Sequence, residues 1–332
     1  MSGTPASGPS GDVARGVIAV AGEALVDIVP APVPAYFEFA PGGSPANVAV
    51  GLARLGAPAR MLARIADDLL GRKLRAHLED NGVDLSHVIR AREQSSLALV
   101  EIADDGVASY DFRISGTADW QWTASELTGA LEPDGTTPVV ALHSGSLALT
   151  TPPGADVLRS LMSRAVDTAT ISYDPNCRPL LMGDPAEVLS GVHELLGLAD
   201  VVKVSDEDLH WLMPGHEPVD VITEWLELGP AVVAVTLGGE GVVAGSASGL
   251  HTTRPGKKID VVDTVGAGDS FSAAMLAGLH RRGLLGAAAR DDLYRIDAAT
   301  LDAVLDEAGS AAAITCSRHG ANPPTLADLG LQ

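Results

Sequence analysis

The sequence predicts an α/β fold in which helices cover a mainly parallel sheet. Short apolar runs rich in β-branched residues recur along the chain, as expected for strands that are buried on both faces. These runs alternate with segments of helical period. The 332 residues, 46% of them hydrophobic, suit one large core. The strand runs are 17–22, 139–143, 170–173, 200–204 and 231–236, and the helical segments between them include 155–168, 185–198 and 218–228.

Charge and composition exclude several classes of partner. The chain carries 43 acidic and 22 basic residues, a formal charge of -21 that repels nucleic acid phosphates and anionic lipids. We therefore expect neither a nucleic acid nor a membrane partner. No segment approaches the roughly 20 apolar residues that span a bilayer. Only Cys177 and Cys316 are present, which predicts a reducing, cytoplasmic location without disulfides.

Three further regions complete the predicted domain organisation. Residues 1–15 are rich in Gly, Ser and Pro and are expected to form a disordered tail before a single domain at 16–330. The segment 30–41 has closely spaced prolines and aromatics, and 94–116 contains the alternation typical of half-exposed antiparallel strands. Together these two segments are expected to form a small sheet that acts as a lid.

The segment from Asp263 to Asp269, Asp-Thr-Val-Gly-Ala-Gly-Asp, joins a Gly-rich turn to an apolar helical run. Free backbone amides at such a helix start favour an anion. A carboxylate at Asp269 could accept a hydroxyl proton while the amides stabilise charge on a transferring phosphoryl group. By itself, the same pattern also fits a helix start in which Asp269 only complements the helix dipole.

A second punctuated helix is predicted between Pro41 and Gly56. Ser44 is expected to cap it and Pro45 to occupy its first position. Helix punctuation does not explain Asn47, a polar residue one turn into an apolar helix, so we assign Asn47 to a substrate hydroxyl.

These two motifs resemble the paired signatures of the ribokinase/PfkB family of sugar kinases, and the resemblance spans about residues 16–325. It implies a ribokinase-like three-layer α/β/α fold with a small β-sheet lid. It also implies that Asp269 is the catalytic base and that the amides of Gly266, Ala267 and Gly268 form an anion hole for the γ-phosphate of ATP. The resemblance places Asp27, Gly42, Gly43 and Asn47 at the sugar.

The turn Thr236-Leu-Gly-Gly-Glu-Gly241 is similar to the nucleotide-binding turn of this family, which implies roles for Thr236, Gly238 and Gly241. It also matches part of a dinucleotide fingerprint. That match is weak, because the following residues predict a strand where a dinucleotide site needs a helix. Gly266 and Gly268 are assigned to the nucleotide as well.

Ion binding is implied at two places. Lys203 and Ser205 are assigned to the nucleotide, and Ser205 and Asp208 stand where the family usually carries an Asn-x-x-Glu element. Asp208 is expected to act on Mg²⁺ through water, although an acidic helix start explains it equally well. Asp263, with carbonyls around Val265 and Gly320, matches positions where some members bind a monovalent cation, K⁺ being the candidate.

The segments Asp174-Pro-Asn-Cys-Arg178 and His143-Ser-Gly-Ser-Leu147 resemble the fructokinase and 2-keto-3-deoxygluconate kinase branch of the family. Arg113 and Arg178 are candidate sugar contacts, which in the second group of enzymes meet a carboxylate. The alternatives are that Arg113 is a solvated residue and that Arg178 pairs with Asp174.

The favoured function is transfer of the ATP γ-phosphate to fructose by a homodimer that pairs through its lid sheets, where the apolar run 97–102 would cover an edge. Phosphorylation of 2-keto-3-deoxygluconate or another sugar is the alternative within the family. A non-catalytic sugar- or nucleotide-binding regulator is the alternative of another class. Hydrolysis by Ser44 lacks an evident base and orienting acid.

Overall fold

A computed structural model describes residues 16–31, 36–102, 108–133 and 137–331. The tail predicted at 1–15 lies outside these residues, as do 32–35 and 103–107 of the predicted lid. The strands are β1 (Val17–Ala21), β2 (Leu25–Pro30), β3 (Phe37–Gly42), β4 (Ala59–Leu62), β5 (Arg64–Ala66), β6 (Ile89–Ala91), β7 (Leu97–Ile102), β8 (Ala108–Arg113), β9 (Val139–Gly145), β10 (Thr170–Asp174), β11 (Val201–Ser205), β12 (Val232–Thr236), β13 (Gly241–Ser246) and β14 (His251–Pro255). The α-helices are α1 (Ser44–Arg54), α2 (Leu69–Asp80), α3 (Gly154–Ala165), α4 (Pro179–Met182), α5 (Pro185–Leu196), α6 (Asp206–Leu212), α7 (Pro218–Glu227), α8 (Ala267–Arg281), α9 (Arg290–Tyr294) and α10 (Ala298–Cys316).

The central sheet has eight strands in the order β14-β13-β12-β11-β10-β9-β1-β4. The pairs from β4 to β12 are parallel, whereas β13 and β14 are added antiparallel at one edge. The apolar strand runs are buried on both faces because helices cover each side. The predicted α/β fold is therefore confirmed, including its mainly parallel sheet.

Two buried clusters form the layers of the core. One cluster packs α1, α2, α8 and α10 against one face of the sheet, and the other packs α3, α5, α6 and α7 against the opposite face. Trp225 of α7 is fully buried in the second cluster. None of the described helices combines the length and the apolar character that crossing a bilayer requires.

A second sheet, of four strands in the order β3-β2-β7-β8, stands beside the main one. It contains β2 in addition to the segments expected from the sequence, and β2 pairs parallel with β7. The apolar run 97–102 is not itself an edge of this sheet, because β7 is hydrogen-bonded to β2 on one side and to β8 on the other. The edges of this sheet are β3 and β8.

Candidate active site

The Gly-rich turn before Asp269 shapes the start of α8. Gly266 lies at the N-terminus of α8 in the left-handed conformation (φ 76°), where a side chain would be strained and would strike Ala321. The turn therefore presents the first amides of α8 away from the helix. Asp269 follows in the first turn and is buried.

Both carboxylate oxygens of Asp269 accept hydrogen bonds from α1. The Ser44 hydroxyl donates to Oδ1 at 2.7 Å, and the Asn47 side-chain amide donates to Oδ2 at 2.8 Å. Gly43, not Ser44, caps α1, so the capping role expected for Ser44 is wrong. Ser44 instead fixes the orientation of the carboxylate, together with Asn47. The carboxylate keeps lone pairs that can accept a substrate proton.

Asp27 lies on β2 against the Gly-Gly turn that precedes α1. A Cβ added to Gly42 would lie 2.2 Å from Asp27 Oδ2, so only glycine lets the carboxylate sit there. Burial raises the pKa of Asp27 to about 6; the nearby positive charge of Arg178 opposes this rise, and the negative charge of Asp269 adds to it. The structure thus gathers Asp27, Asn47, Arg178 and Asp269 around one region.

The two arginines differ in their surroundings. One terminal nitrogen of Arg178 donates to the side chain of Asn176 at 2.8 Å and to the carbonyl of Cys177 at 2.9 Å. The alternative that Arg178 is the partner of Asp174 is wrong, since Asp174 pairs with Lys203. Arg113 ends β8 with an exposed side chain that forms an ion pair with Asp111.

Lys203 of β11 extends to the first turn of α8, close to Gly268. Its amino group donates to Asp174 Oδ2 at 3.1 Å, and a Cβ on Gly268 would lie 2.8 Å from it. Ser205 caps α6, accepting from the amide of Asp208 at 3.0 Å. Asp208 in turn accepts from the amide of Cys177 at 2.9 Å. Both side chains therefore have structural partners that the sequence did not reveal.

The remaining predicted positions lie in two turns. Thr236 ends β12 and Gly238 opens the next turn with φ 51°, while Gly241 begins β13 directly against the carbonyl of Arg254. Asp263 accepts from the amides of Val265 at 3.0 Å and Gly320 at 2.8 Å. The amides, rather than the carbonyls, of those two residues thus face the carboxylate.

Sequence reasoning missed Glu23, which follows β1. Glu23 is buried, its Oε2 lacks a hydrogen-bond partner among the described residues, and its carbonyl packs against Gly43. Burial raises the pKa of Glu23 to about 7; a hydrogen bond from Ser146 and the charge of Arg178 lower it, and the charge of Asp119 raises it further. The sequence signal that could have identified Glu23 is its position directly after a predicted strand, in the segment Gly22-Glu-Ala-Leu-Val-Asp27.

Known proteins resemble this chain in sequence and in fold. The profile of the pfkB family carbohydrate kinases matches residues 17–328. A fructokinase from Rhizobium leguminosarum bv. trifolii is 35% identical over 272 residues, which cover 81% of each chain.

Two solved fructokinase structures are also similar to this chain. One, from Xylella fastidiosa with bound ATP, has a TM-score of 0.85 and 28% identity and covers 95% of this chain and 97% of that one. The other, from Vibrio cholerae O395 with fructose, ADP and calcium ion, has a TM-score of 0.78 and 25% identity and covers 92% and 94%.

Proposed function

The chain belongs to the pfkB family of carbohydrate kinases, and we propose that it transfers the γ-phosphoryl group of ATP to a primary hydroxyl of fructose. The observation that carries this proposal is the carboxylate of Asp269, held by Ser44 and Asn47 at the amide-rich start of α8. A base and an anion site within one helical turn suit transfer of a phosphoryl group to an alcohol.

The reaction then uses these residues in a defined order. Asp269 accepts the proton of the sugar hydroxyl, whose oxygen forms a bond to the γ-phosphorus while the bond from that phosphorus to the bridging oxygen breaks. The electron pair of the broken bond leaves with ADP. The amides of Gly266, Ala267 and Gly268 stabilise the negative charge on the transferring group.

Charge around the acceptor pocket favours a neutral sugar over 2-keto-3-deoxygluconate. Arg113 is exposed and paired with Asp111, whereas the charge of Arg178 lowers the pKa of the buried Glu23 and of the half-buried Asp27. A substrate carboxylate would compete with these groups for one cation. A neutral ketohexose needs only donors and acceptors such as Asp27, Gly42, Gly43 and Asn47 for its hydroxyls.

Nucleotide binding is assigned to residues at the carboxyl ends of β11 and β12 and to the α8 start, where ligands of parallel sheets bind. Lys203 supplies a buried cation there, and the exposed turn at Gly238 gives open space for a nucleotide. The complete set is Lys203, Ser205, Thr236, Gly238, Gly241, Gly266 and Gly268.

Magnesium fits this site as an ion held mainly by nucleotide phosphates. Among the described residues, no group of three or more His, Cys, Asp or Glu side chains is arranged to hold a metal ion. Asp208 is a buried carboxylate beside Lys203, a place that suits contact with the ion through water. The ion would offset the negative charge of the phosphates.

A K⁺ site is proposed at Asp263. It is supported by the carboxylate of Asp263 and by the position of this residue just before the proposed anion hole.

A homodimer would cover aromatic side chains on the edge strand of the smaller sheet. Phe37 and Phe39 of β3 are each 58% exposed, and Tyr36 beside them is 67% exposed. Apolar side chains in one row on a sheet edge favour pairing with a second copy.

A cytoplasmic location is supported by Cys177 and Cys316, both of which are free thiols.

An ADP-release assay over several acceptors tests the function. We expect the highest kcat/KM with fructose, and lower values with 2-keto-3-deoxygluconate, ribose, glucose and nucleosides. Faster turnover of the acidic sugar or of a nucleoside would overturn the choice of fructose. Binding of ATP and sugar without turnover of any acceptor would favour the non-catalytic regulator.

A further inference from the structure

A buried ion pair joins the last residue of β10 to the middle of β11, its parallel neighbour. Lys203 of β11 donates to Asp174 of β10 at 3.1 Å, and their side chains are 5% and 1% exposed. Burying two charges costs several kcal/mol per ion before their attraction is counted, so such pairs are weak sources of stability. Stability of the sheet alone therefore does not explain this ion pair.

The pair is packed directly under the helix start that forms the anion hole. A Cβ added to Gly268 would lie 2.8 Å from Lys203 Nζ, which shows how closely the amino group approaches the backbone of that turn. From the next turn of α8, the Ser272 hydroxyl donates to Asp174 Oδ2 at 3.4 Å. Asp174 Oδ1 has no hydrogen-bond partner within the part of the chain that the structure describes.

The surrounding charges keep Lys203 positive. Burial lowers the pKa of Lys203, but Asp174, followed by Asp208 and Asp269, outweighs this effect and raises it. Burial also raises the pKa of Asp174 to about 6, against the lowering effect of Lys203. Asp174 therefore holds the ammonium by a direct hydrogen bond, and the ammonium lies close to the backbone of Gly268 at the start of α8.

We propose that Asp174 is a positioning residue for phosphoryl transfer, which holds the Lys203 ammonium beneath Gly268 and so adds a full positive charge to an anion hole of neutral amides. This inference rests on the proposed kinase function. As the sugar oxygen bonds to the γ-phosphorus and the bond to the bridging oxygen of ADP breaks, the peripheral oxygens stay negatively charged above that turn. A fixed charge in a buried site stabilises them without reorganisation.

Substitution of each partner tests the proposal by kinetics. We expect Asp174→Asn to lower kcat about 10²-fold, the scale of losing one anion-hole donor, with the KM for ATP and for fructose within about threefold of wild type. Lys203→Met should lower kcat at least as much. The double variant should be no slower than Lys203→Met, because the two residues act as one unit.

A matched control lies at the opposite end of the same strands. Asp200 precedes β11, is buried, and forms an ion pair with the half-buried Arg290 at 2.9 Å. Asp200→Asn should cost stability but keep kcat within about threefold. The proposal is overturned by a normal kcat in Asp174→Asn, by multiplied losses in the double variant, or by an equal kcat loss in Asp200→Asn.

Binding of ADP with aluminium fluoride, in magnesium-containing buffer, gives a readout that needs no sugar turnover. Aluminium fluoride mimics the transferring phosphoryl group, so Asp174→Asn should weaken its complex about 10²-fold and leave the affinity for ADP alone within about threefold. Equal losses for both ligands would overturn the role of the pair. Absence of wild-type turnover with every sugar would instead refute the kinase function, while this binding comparison still decides the ion-pair role.

Discussion

The Ser44 hydroxyl donates a 2.7 Å hydrogen bond to Asp269, although 225 positions separate the two residues in the chain. Asn47 holds the second carboxylate oxygen from the same helix. The proposed base is thus oriented by α1, the helix whose preceding glycines lie against Asp27 and Glu23. The residues that we propose for the acceptor and the proposed base are therefore positioned by the same helix.

Ser44→Ala should lower kcat about tenfold with little change in either KM. The variant removes a hydrogen bond to a charged group, worth about 1.5–3 kcal/mol, and leaves Asp269 held by Asn47 alone. Steady-state kinetics with fructose and ATP measures the effect. Ser270→Ala is the control, because the Ser270 hydroxyl is buried on α8 but bonds Thr315, and its kcat should stay within about twofold. Similar losses in both variants would argue against a special role for Ser44.

Asp269→Asn should abolish most turnover while binding persists. A positioned general base contributes about 10²–10⁴-fold, so we expect a loss of kcat of about 10³-fold. The amide of asparagine cannot accept the hydroxyl proton but keeps the shape of the carboxylate. Equilibrium binding of ATP and fructose should change by less than about threefold. Near-normal turnover would show that another group is the base.

Arg178→Ala should move the acidic side of the pH profile to higher pH. The charge of Arg178 lowers the pKa of Asp27, which is about 6, and its removal lets that pKa rise. If ionised Asp27 binds the sugar, kcat/KM for fructose falls as the pH drops through a higher value than in wild type. Arg295→Ala, which removes an exposed arginine paired with Asp291, should leave the profile unchanged. An unshifted profile in Arg178→Ala would separate Asp27 from sugar binding.

Glu23→Gln should stabilise the protein at alkaline pH. Because the pKa of Glu23 is about 7 in the folded chain and 4.5 without burial, the stability linked to its neutral form is complete below about 4.5 and lost as the pH rises through about 7. Glutamine does not titrate. The free energy of unfolding of the variant should therefore gain about 3 kcal/mol on wild type between pH 4 and pH 8.

Denaturant unfolding at both pH values measures this gain. Glu227→Gln, at an exposed position at the end of α7, is the control and should show none. A pH-independent difference between Glu23→Gln and wild type would contradict the burial of a neutral carboxyl at position 23.

Glutamate at both Phe37 and Phe39 should convert the proposed dimer to a monomer. The two aromatics are 58% exposed on the edge strand β3, and two charges there would oppose close approach of a second copy. Light scattering at several protein concentrations gives the mass. A similar change at Leu180, an exposed residue of α4, is the control and should leave the mass unaltered. A monomeric wild-type protein would refute the dimer.

The sequence predicted the main sheet well because each strand is a local signal. Val139–Gly145 and Val232–Thr236 each begin with an apolar run, and each pairs in parallel with a neighbouring strand of the main sheet. Helix ends were less well predicted: the segment expected at 155–168 forms Gly154–Ala165. Local patterns set the type of an element, whereas packing of the terminal turn sets its end.

Residue pairings were beyond the reach of local patterns. Lys203 interrupts the apolar strand run 200–204, which signals a special residue but not its partner Asp174 on the next strand. Ser44 looked like a cap because serine before a proline is typical of one, yet its hydroxyl turns to Asp269. The sheet register and the α1–α8 contact decide both pairings, and a single sequence does not encode either as a motif.

The hydrogen bond from Ser44 to Asp269 joins parts of the chain that are synthesised at different times. Arg54 at the end of α1 also bonds the carbonyl of Pro323 at 2.8 Å, so the same helix is tied to the last part of the chain. During synthesis α1 leaves the ribosome before α8 and Pro323 have been made. The apolar face of α1 therefore stays uncovered until those later residues are available. Truncated products that stop before α8 would lack both the proposed base and the cover of that face, so we expect them to be inactive and to be degraded rapidly by proteases.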